Sequence, residues 1–172
     1  KDFDEVMALT KKEINSECEE IMNGIHDLWF VPSPFMGVML DDIKYRNFGM
    51  HGTGIATAAD SLAAIKKYVF DEKYISAADM LKAVDENFEN SPELLDKLRN
   101  EAPKMGCDDD YVDNISVELL DTFADCLEGK KNCEGGVWRA GTGSAMFYLW
   151  HAREIGASPD GRRSGEPFGT NF

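Results

Sequence analysis

Four cysteines and three histidines are the side chains of this 172-residue sequence best suited to making and breaking bonds. Cys18, Cys107, Cys126 and Cys133 stand far apart, with no CxxC among them. Zinc sites draw on close pairs, and disulfide frameworks on dense spacing in short secreted chains. The spacing here therefore predicts free thiols in a reducing cytoplasm. His26, His51 and His151 are equally isolated. No HExxH supports a metal and no GxSxG elbow supports a hydrolytic triad, so each reads as a structural histidine.

Asp108-Asp109-Asp110 is the densest acidic run considered as a cation site. A calcium loop alternates its ligands around a central glycine and ends in a bidentate glutamate, a pattern missing here. Acids ahead of a helix instead accept its first amides and sit at the positive end of its dipole, so capping is the expectation. Gly52-Thr53-Gly54 and Gly141-Thr142-Gly143 imitate pieces of phosphate loops. Neither ends in Lys-Ser/Thr nor carries the full GxGxxG after a strand. They read as places where the backbone turns left-handed or another segment comes close. Cys133-Glu134 and Arg139-Ala140-Gly141 require no special chemistry.

Helices must position these residues. Apolar side chains at steps of three and four predict helices over about 2–27, 57–70, 77–88, 92–100 and 108–128. Ser76 with Asp79, and Ser91-Pro92-Glu93, supply start signals for two of them. Pro32 and Pro34 break the first, and Phe35 to Leu40 reads as a buried turn of helix closed by Asp41-Asp42. Val137-Trp138-Arg139 and a run over about 144–151 read as strand, the latter with Ser144, Met146, Tyr148 and Trp150 on one face. The expected class is α/β, a mainly helical chain followed by one or two strands.

Thirty-two acidic against eighteen basic residues leave a net charge of -14. Such a surface repels phosphate backbones and anionic headgroups, which argues against nucleic-acid and membrane partners. No apolar run approaches the roughly 20 residues of a membrane span. Lys1-Asp2-Phe3-Asp4-Glu5 lacks the basic flank and apolar stretch of a secretion signal, so a cytoplasmic location is expected.

Three stretches in order resemble the glycyl radical enzyme family, which contains pyruvate formate-lyase and the radical diol dehydratases. They are Gly54-Ile55-Ala56-Thr57-Ala58-Ala59-Asp60-Ser61-Leu62-Ala63-Ala64-Ile65-Lys66, Ala102-Pro103-Lys104-Met105-Gly106-Cys107-Asp108-Asp109-Asp110-Tyr111-Val112-Asp113, and Gly156-Ala157-Ser158-Pro159-Asp160-Gly161-Arg162-Arg163-Ser164-Gly165-Glu166-Pro167-Phe168. Pro32-Ser33-Pro34-Phe35 resembles a further family segment.

The resemblance implies a ten-stranded α/β barrel wrapped by helices, of which residues 1–172 would be an internal part. It implies anaerobic chemistry in which a backbone glycyl radical makes a thiyl radical from a cysteine. It also implies partners: the remainder of the enzyme chain, a homodimer mate, and a separate iron–sulfur activating enzyme that uses S-adenosylmethionine. The family's thiyl cysteine lies in a Gly-Cys-x-Glu-like loop ahead of this region, and its radical glycine in an Arg-Val-x-Gly-Tyr-like motif beyond it. Cys133-Glu134 and Arg139-Ala140-Gly141 do not match those motifs, so no catalytic residue, bound cofactor or metal is assigned and the chain alone is expected to be inactive. Asp41-Asp42-Ile43-Lys44-Tyr45 and the stretch from His151 to Gly156 depart from the family pattern. In dehydratase-type relatives a polar side chain on the strand before the Pro-Asp-Gly-Arg turn faces substrate, which makes Tyr148 the first pocket candidate and Ser144 the second. Acyl transfer, dehydration, amine elimination and decarboxylation all stay open on such a scaffold. The alternative from another class is a free-standing degenerate relative acting as a non-catalytic interaction module.

Overall fold

The computed structural model describes residues 2–25, 46–143 and 147–169. Within them the elements run α1 (Phe3–Gly24), β1 (Phe48–Gly52), α2 (Ile55–Ile65), α3 (Ala77–Asp85), α4 (Pro92–Asn100), α5 (Asp110–Leu127), β2 (Trp138–Thr142) and α6 (Phe147–Glu154), with a π-helical stretch, Lys66–Asp71, continuing α2. His26, Ser144, the Pro32-Pro34 segment, the turn expected over Phe35 to Leu40, and Asp41 to Tyr45 lie outside the described residues. The chain divides into two compact units, Lys1–Val6 with Thr53–Leu120 and Gly143–Phe172, and Met7–Gly52 with Asp121–Thr142.

The first unit is helical, and its starts and stops follow local chemistry. Gly54 caps α2 at φ 78°, a left-handed backbone that a side chain resists. The small residues Ala56, Ala59, Ala63 and Ala64 are all buried, so the helix sits in close contact with its surroundings. One residue more per turn over Lys66–Asp71 places Tyr68 in the core and brings Lys66 within 2.8 Å of Asp71. Ser76 Oγ accepts from the Asp79 amide at 3.1 Å and starts α3. That helix stops at Asp85, short of the expected 88, because Asn87 and Phe88 adopt left-handed φ of 53° and 58°. The reward for this conformation is Phe88 completely buried among Tyr68, Met80, Leu94, Leu95 and Leu98. Pro92 occupies the first turn of α4, where its missing N–H costs nothing.

The second unit is built on two parallel strands. Phe48 pairs with Trp138, Gly49 with Arg139, Met50 with Ala140, His51 with Gly141 and Gly52 with Thr142. Partnered residues point the same way and successive ones alternate. One face therefore presents Phe48, Met50 and Trp138 to a core with Cys18 of α1 and Cys126 and Leu127 of α5. The Phe48 and Trp138 rings meet edge to face at 5.4 Å.

Two expectations are corrected here. The strands do not follow the helices, since β1 precedes most of them. Gly49 and Gly52 dilute its β propensity, and only Phe48 and Met50 show the alternation. The described part of the strand expected over 144–151 is helix α6 instead. Its aromatic run suits a strand by composition, yet the residues it buries, Tyr148 at 3% and Ala152 at 1% exposure, are four apart. A helix places that pair on one face, whereas a period of two would have buried Trp150, which is 55% exposed.

Candidate functional site

Two clusters gather the polar residues singled out above, one in each unit. In the first unit the three family-like stretches meet. Asp60 of α2 accepts the Met105 amide at 2.7 Å, and Lys104 donates to the Asp160 carbonyl at 2.7 Å. The Gly169 amide donates to Thr57 Oγ1 at 2.8 Å. Gly161 turns at φ 92° so close to α4 that a Cβ there would stand 2.8 Å from Arg99 Cγ. Arg99 in turn donates to the Gly161 carbonyl at 2.7 Å and pairs with Glu166 at 2.5 Å.

Arg162 is the centre of this clasp and is 5% exposed. Its guanidinium donates to Ser158 Oγ at 3.1 Å, to the Glu166 carbonyl at 2.9 Å, to the Arg163 carbonyl at 3.3 Å and to the Gly156 carbonyl. It also lies 5.1 Å from the Phe168 ring centre. Such a set occupies four of the five N–H donors of the planar fork with the chain's own atoms. Burial pushes the Asp60 carboxyl up to about 6, against the pull of the Met105 amide and Lys104, and pushes the Lys104 amine down. These shifts belong to packing, because Asp60 is bonded to the Met105 amide and Lys104 to the Asp160 carbonyl.

Asp109 Oδ1 accepts the Tyr111 amide at 3.0 Å, so the acidic run caps α5. Among the described residues no group of three or more His, Cys, Asp or Glu could hold a metal ion. Tyr148 is buried with its ring edge-on to Phe168 at 5.9 Å. His151 is exposed on α6. All four cysteines are free thiols. Burial and the neighbouring Cys126 push the Cys18 thiol up to about 11, and the Cys126 thiol donates to Asn15 Oδ1 at 2.9 Å. Cys133 is exposed, while the adjoining Glu134 pairs with Arg46 at 2.9 Å.

In the second unit, Asn132 joins the strand entrances. Its amide group donates to the Arg46 carbonyl at 2.8 Å and accepts the Glu134 and Gly136 amides at 3.0 Å. Asn47 Oδ1 accepts the Val137 amide at 3.0 Å, and the Phe48 amide donates to the Val137 carbonyl at 3.0 Å. Thus anchored, β1 and β2 direct Gly49, His51, Arg139 and Gly141 to the side opposite the helical core. His51 and Arg139 are exposed. The imidazole of His51 rests on glycine: its Nε2 lies 3.3 Å from where a Cβ at Gly141 would stand and 3.5 Å from one at Gly49. Gly141 is therefore a seat for His51. Among the described residues neither His51 nor Arg139 has an ion-pair or hydrogen-bond partner. Sequence reasoning read His51 as a structural histidine and Arg139-Ala140-Gly141 as needing no special chemistry, because without β1 as a strand their common face was invisible. The usable signal was the opposite phase of His51 to Phe48 and Met50.

A family model described as "Pyruvate formate lyase-like" matches residues 1–151. The chain is 34% identical over 149 residues to trans-4-hydroxy-L-proline dehydratase of Clostridioides difficile, a match covering 80% of this chain and 19% of the relative. It is 29% identical over 190 residues to (2S)-3-sulfopropanediol dehydratase of Klebsiella oxytoca, covering 100% of this chain and 23% of the relative. The solved glycerol-bound B12-independent glycerol dehydratase of Clostridium butyricum superimposes with a TM-score of 0.83 at 31% identity, covering 98% of this chain and 24% of that one. The chain thus spans about a fifth of the length of the curated relatives it matches.

Proposed function

The chain belongs to the pyruvate formate lyase-like family, and from that premise we propose that it is a wall segment of a glycyl radical dehydratase. Helices α1 to α5 would form part of the barrel's outer shell, and β1 and β2 two adjacent strands of its wall. The observation that carries this reading is the asymmetry of the strand pair: one face is sealed by α1 and α5, the other is open and polar. A barrel wall needs that division, with helices outside and a ligand space within. The overlap with glycerol dehydratase along 98% of the chain supports it.

In this reading the thiyl cysteine and the radical glycine come from the remainder of the enzyme chain, and a separate iron–sulfur enzyme using S-adenosylmethionine installs the radical. A dimeric, oxygen-sensitive, cytoplasmic enzyme follows from the same family logic. The reaction class proposed is elimination of water from a hydroxylated substrate, the chemistry named for all three relatives above. Those relatives are enzymes, which favours this reading over a non-catalytic interaction module. Tyr148 and Ser144 stay secondary candidates for the pocket wall. The burial of Tyr148 against Phe168 suits packing better than substrate contact.

The test is anaerobic activation of the full-length enzyme with its activating enzyme and S-adenosylmethionine, followed by electron paramagnetic resonance. A glycine-centred signal is expected there, and none from residues 1–172 treated alone. No signal in the full-length enzyme, or a coding region without Gly-Cys-x-Glu-like and Arg-Val-x-Gly-Tyr-like loops on its two sides, overturns the proposal.

A further inference from the structure

We infer that the open face of the strand pair is a subsite for the acidic group of the substrate, a carboxylate or sulfonate, with Arg139 as its principal ligand and His51 beside it. The inference deepens the proposed function and rests on it, since the face meets substrate only if the pair lines a barrel.

Charge distinguishes this face. In a chain of -14, acids outnumber bases by 32 to 18, and Arg139 and Arg153 are exposed arginines without a partner among the described residues, of which only Arg139 lies on the strand pair. Arg46 pairs with Glu134, Arg99 with Glu166, and Arg162 donates to three carbonyls and the Ser158 hydroxyl. Arg139 is exposed and among the described residues has no carboxylate partner. The four positions of its face, Gly49, His51, Arg139 and Gly141, contain no acid.

Geometry adds the second part. Gly49 directly opposes Arg139 and Gly141 directly opposes His51, so each large polar side chain faces a neighbour without one. The space the two glycines leave is filled by the His51 ring, whose Nε2 lies 3.5 Å from a Cβ at Gly49 and 3.3 Å from one at Gly141, so the glycines hold the imidazole over the position opposite the guanidinium. A guanidinium presents a planar fork of N–H donors matched to the paired oxygens of a carboxylate or sulfonate. An imidazole adds a further donor. A neutral polyol would draw no comparable benefit from a fixed cation.

The experiment is calorimetric binding to the unactivated full-length enzyme, with trans-4-hydroxy-L-proline, (2S)-3-sulfopropanediol and inorganic sulfate as anionic probes and glycerol as the neutral one. At least one organic acid is expected to bind more tightly than glycerol. Its affinity should fall about tenfold to a hundredfold in Arg139→Ala, the range for one charge-assisted contact, and recover in part in Arg139→Lys. Arg153→Ala, an exposed arginine on α6, serves as control and should bind as the parent does. If no anionic probe binds, if glycerol binds at least as tightly, or if Arg139→Ala binds unchanged, the inference is overturned. The spin signal separates this from failure of the wider reading. A radical that forms normally in both parent and Arg139→Ala, with indifferent anion binding, sinks the subsite alone, whereas absence of the radical in the parent sinks the enzyme assignment.

Discussion

Arg162 and Arg139 are the same residue type in two regions of one chain, and their surroundings assign them opposite tasks. Arg162 spends its donors on Ser158, Gly156, Arg163 and Glu166 and is nearly inaccessible. Arg139 stands on an open strand face beside a histidine seated on glycine. A buried, hydrogen-bonded guanidinium holds a turn in shape, while an uncommitted exposed one is available to something else. The motif most recognisable in sequence is therefore scaffold, and the site candidate lies in residues that carried little signal.

The contrast can be broken by mutation, beginning where the effect should be greatest. Arg162→Ala strands several carbonyls together with the Ser158 hydroxyl, and is expected to cost about 4 kcal/mol. Urea unfolding of the full chain would measure it, and a loss under about 1 kcal/mol would mean that the clasp is dispensable. Gly161→Ala adds a Cβ 2.8 Å from Arg99 Cγ at a φ of 92°, for an expected loss of about 2–3 kcal/mol. A melting temperature equal to the parent's would contradict the close approach.

Asp60 sharpens the comparison through pH. Its folded carboxyl, raised to about 6 from 3.8, holds a proton that the unfolded chain has already released. Its contribution to stability is thus fully present below about pH 4 and is lost as pH rises to about 6. Asp60→Asn keeps an acceptor for the Met105 amide and removes that dependence. It should stabilise the chain by about 1–2 kcal/mol at pH 7, the desolvation gain being partly offset by the lost attraction of Lys104. Stability curves for parent and variant that run parallel between pH 4 and 7 would refute this.

The smallest effects on folding belong to the strand face. Arg139→Ala and His51→Ala should each shift stability by under about 0.5 kcal/mol, as exposed residues do. Gly141→Ala meets His51 Nε2 at 3.3 Å, and should move the His51 imidazole resonances in an NMR spectrum while leaving the core signals in place. A large stability loss in any of the three would reassign the face from recognition to structure.

Much of the first unit was legible because its signals act over a few residues. The hydroxyl of Ser76, the proline after Ser91 and the carboxylate of Asp109 satisfy helix starts locally, whatever surrounds them. The stop of α3 was less legible, since nothing local marks Phe88 for a left-handed backbone and only its complete burial offsets the strain. Tyr148 and Trp150 read as one face of a strand because aromatic composition favours β structure. Tertiary burial of Tyr148 with Ala152 decided for helix.

Residue order alone determined the family, the acidic balance, the isolation of the cysteines and histidines, and the sites where helices begin. Each is a property of composition or of neighbours within about one helical turn, where a side chain reaches its own backbone. Only the tertiary structure decided that Phe48–Gly52 is a strand paired in parallel with Trp138–Thr142, which makes neighbours of His51 and Gly141. Only it decided that one arginine is consumed and another left open. Parallel pairing and burial depend on segments far apart in the chain, and their energies exist only once the backbone has brought those segments together.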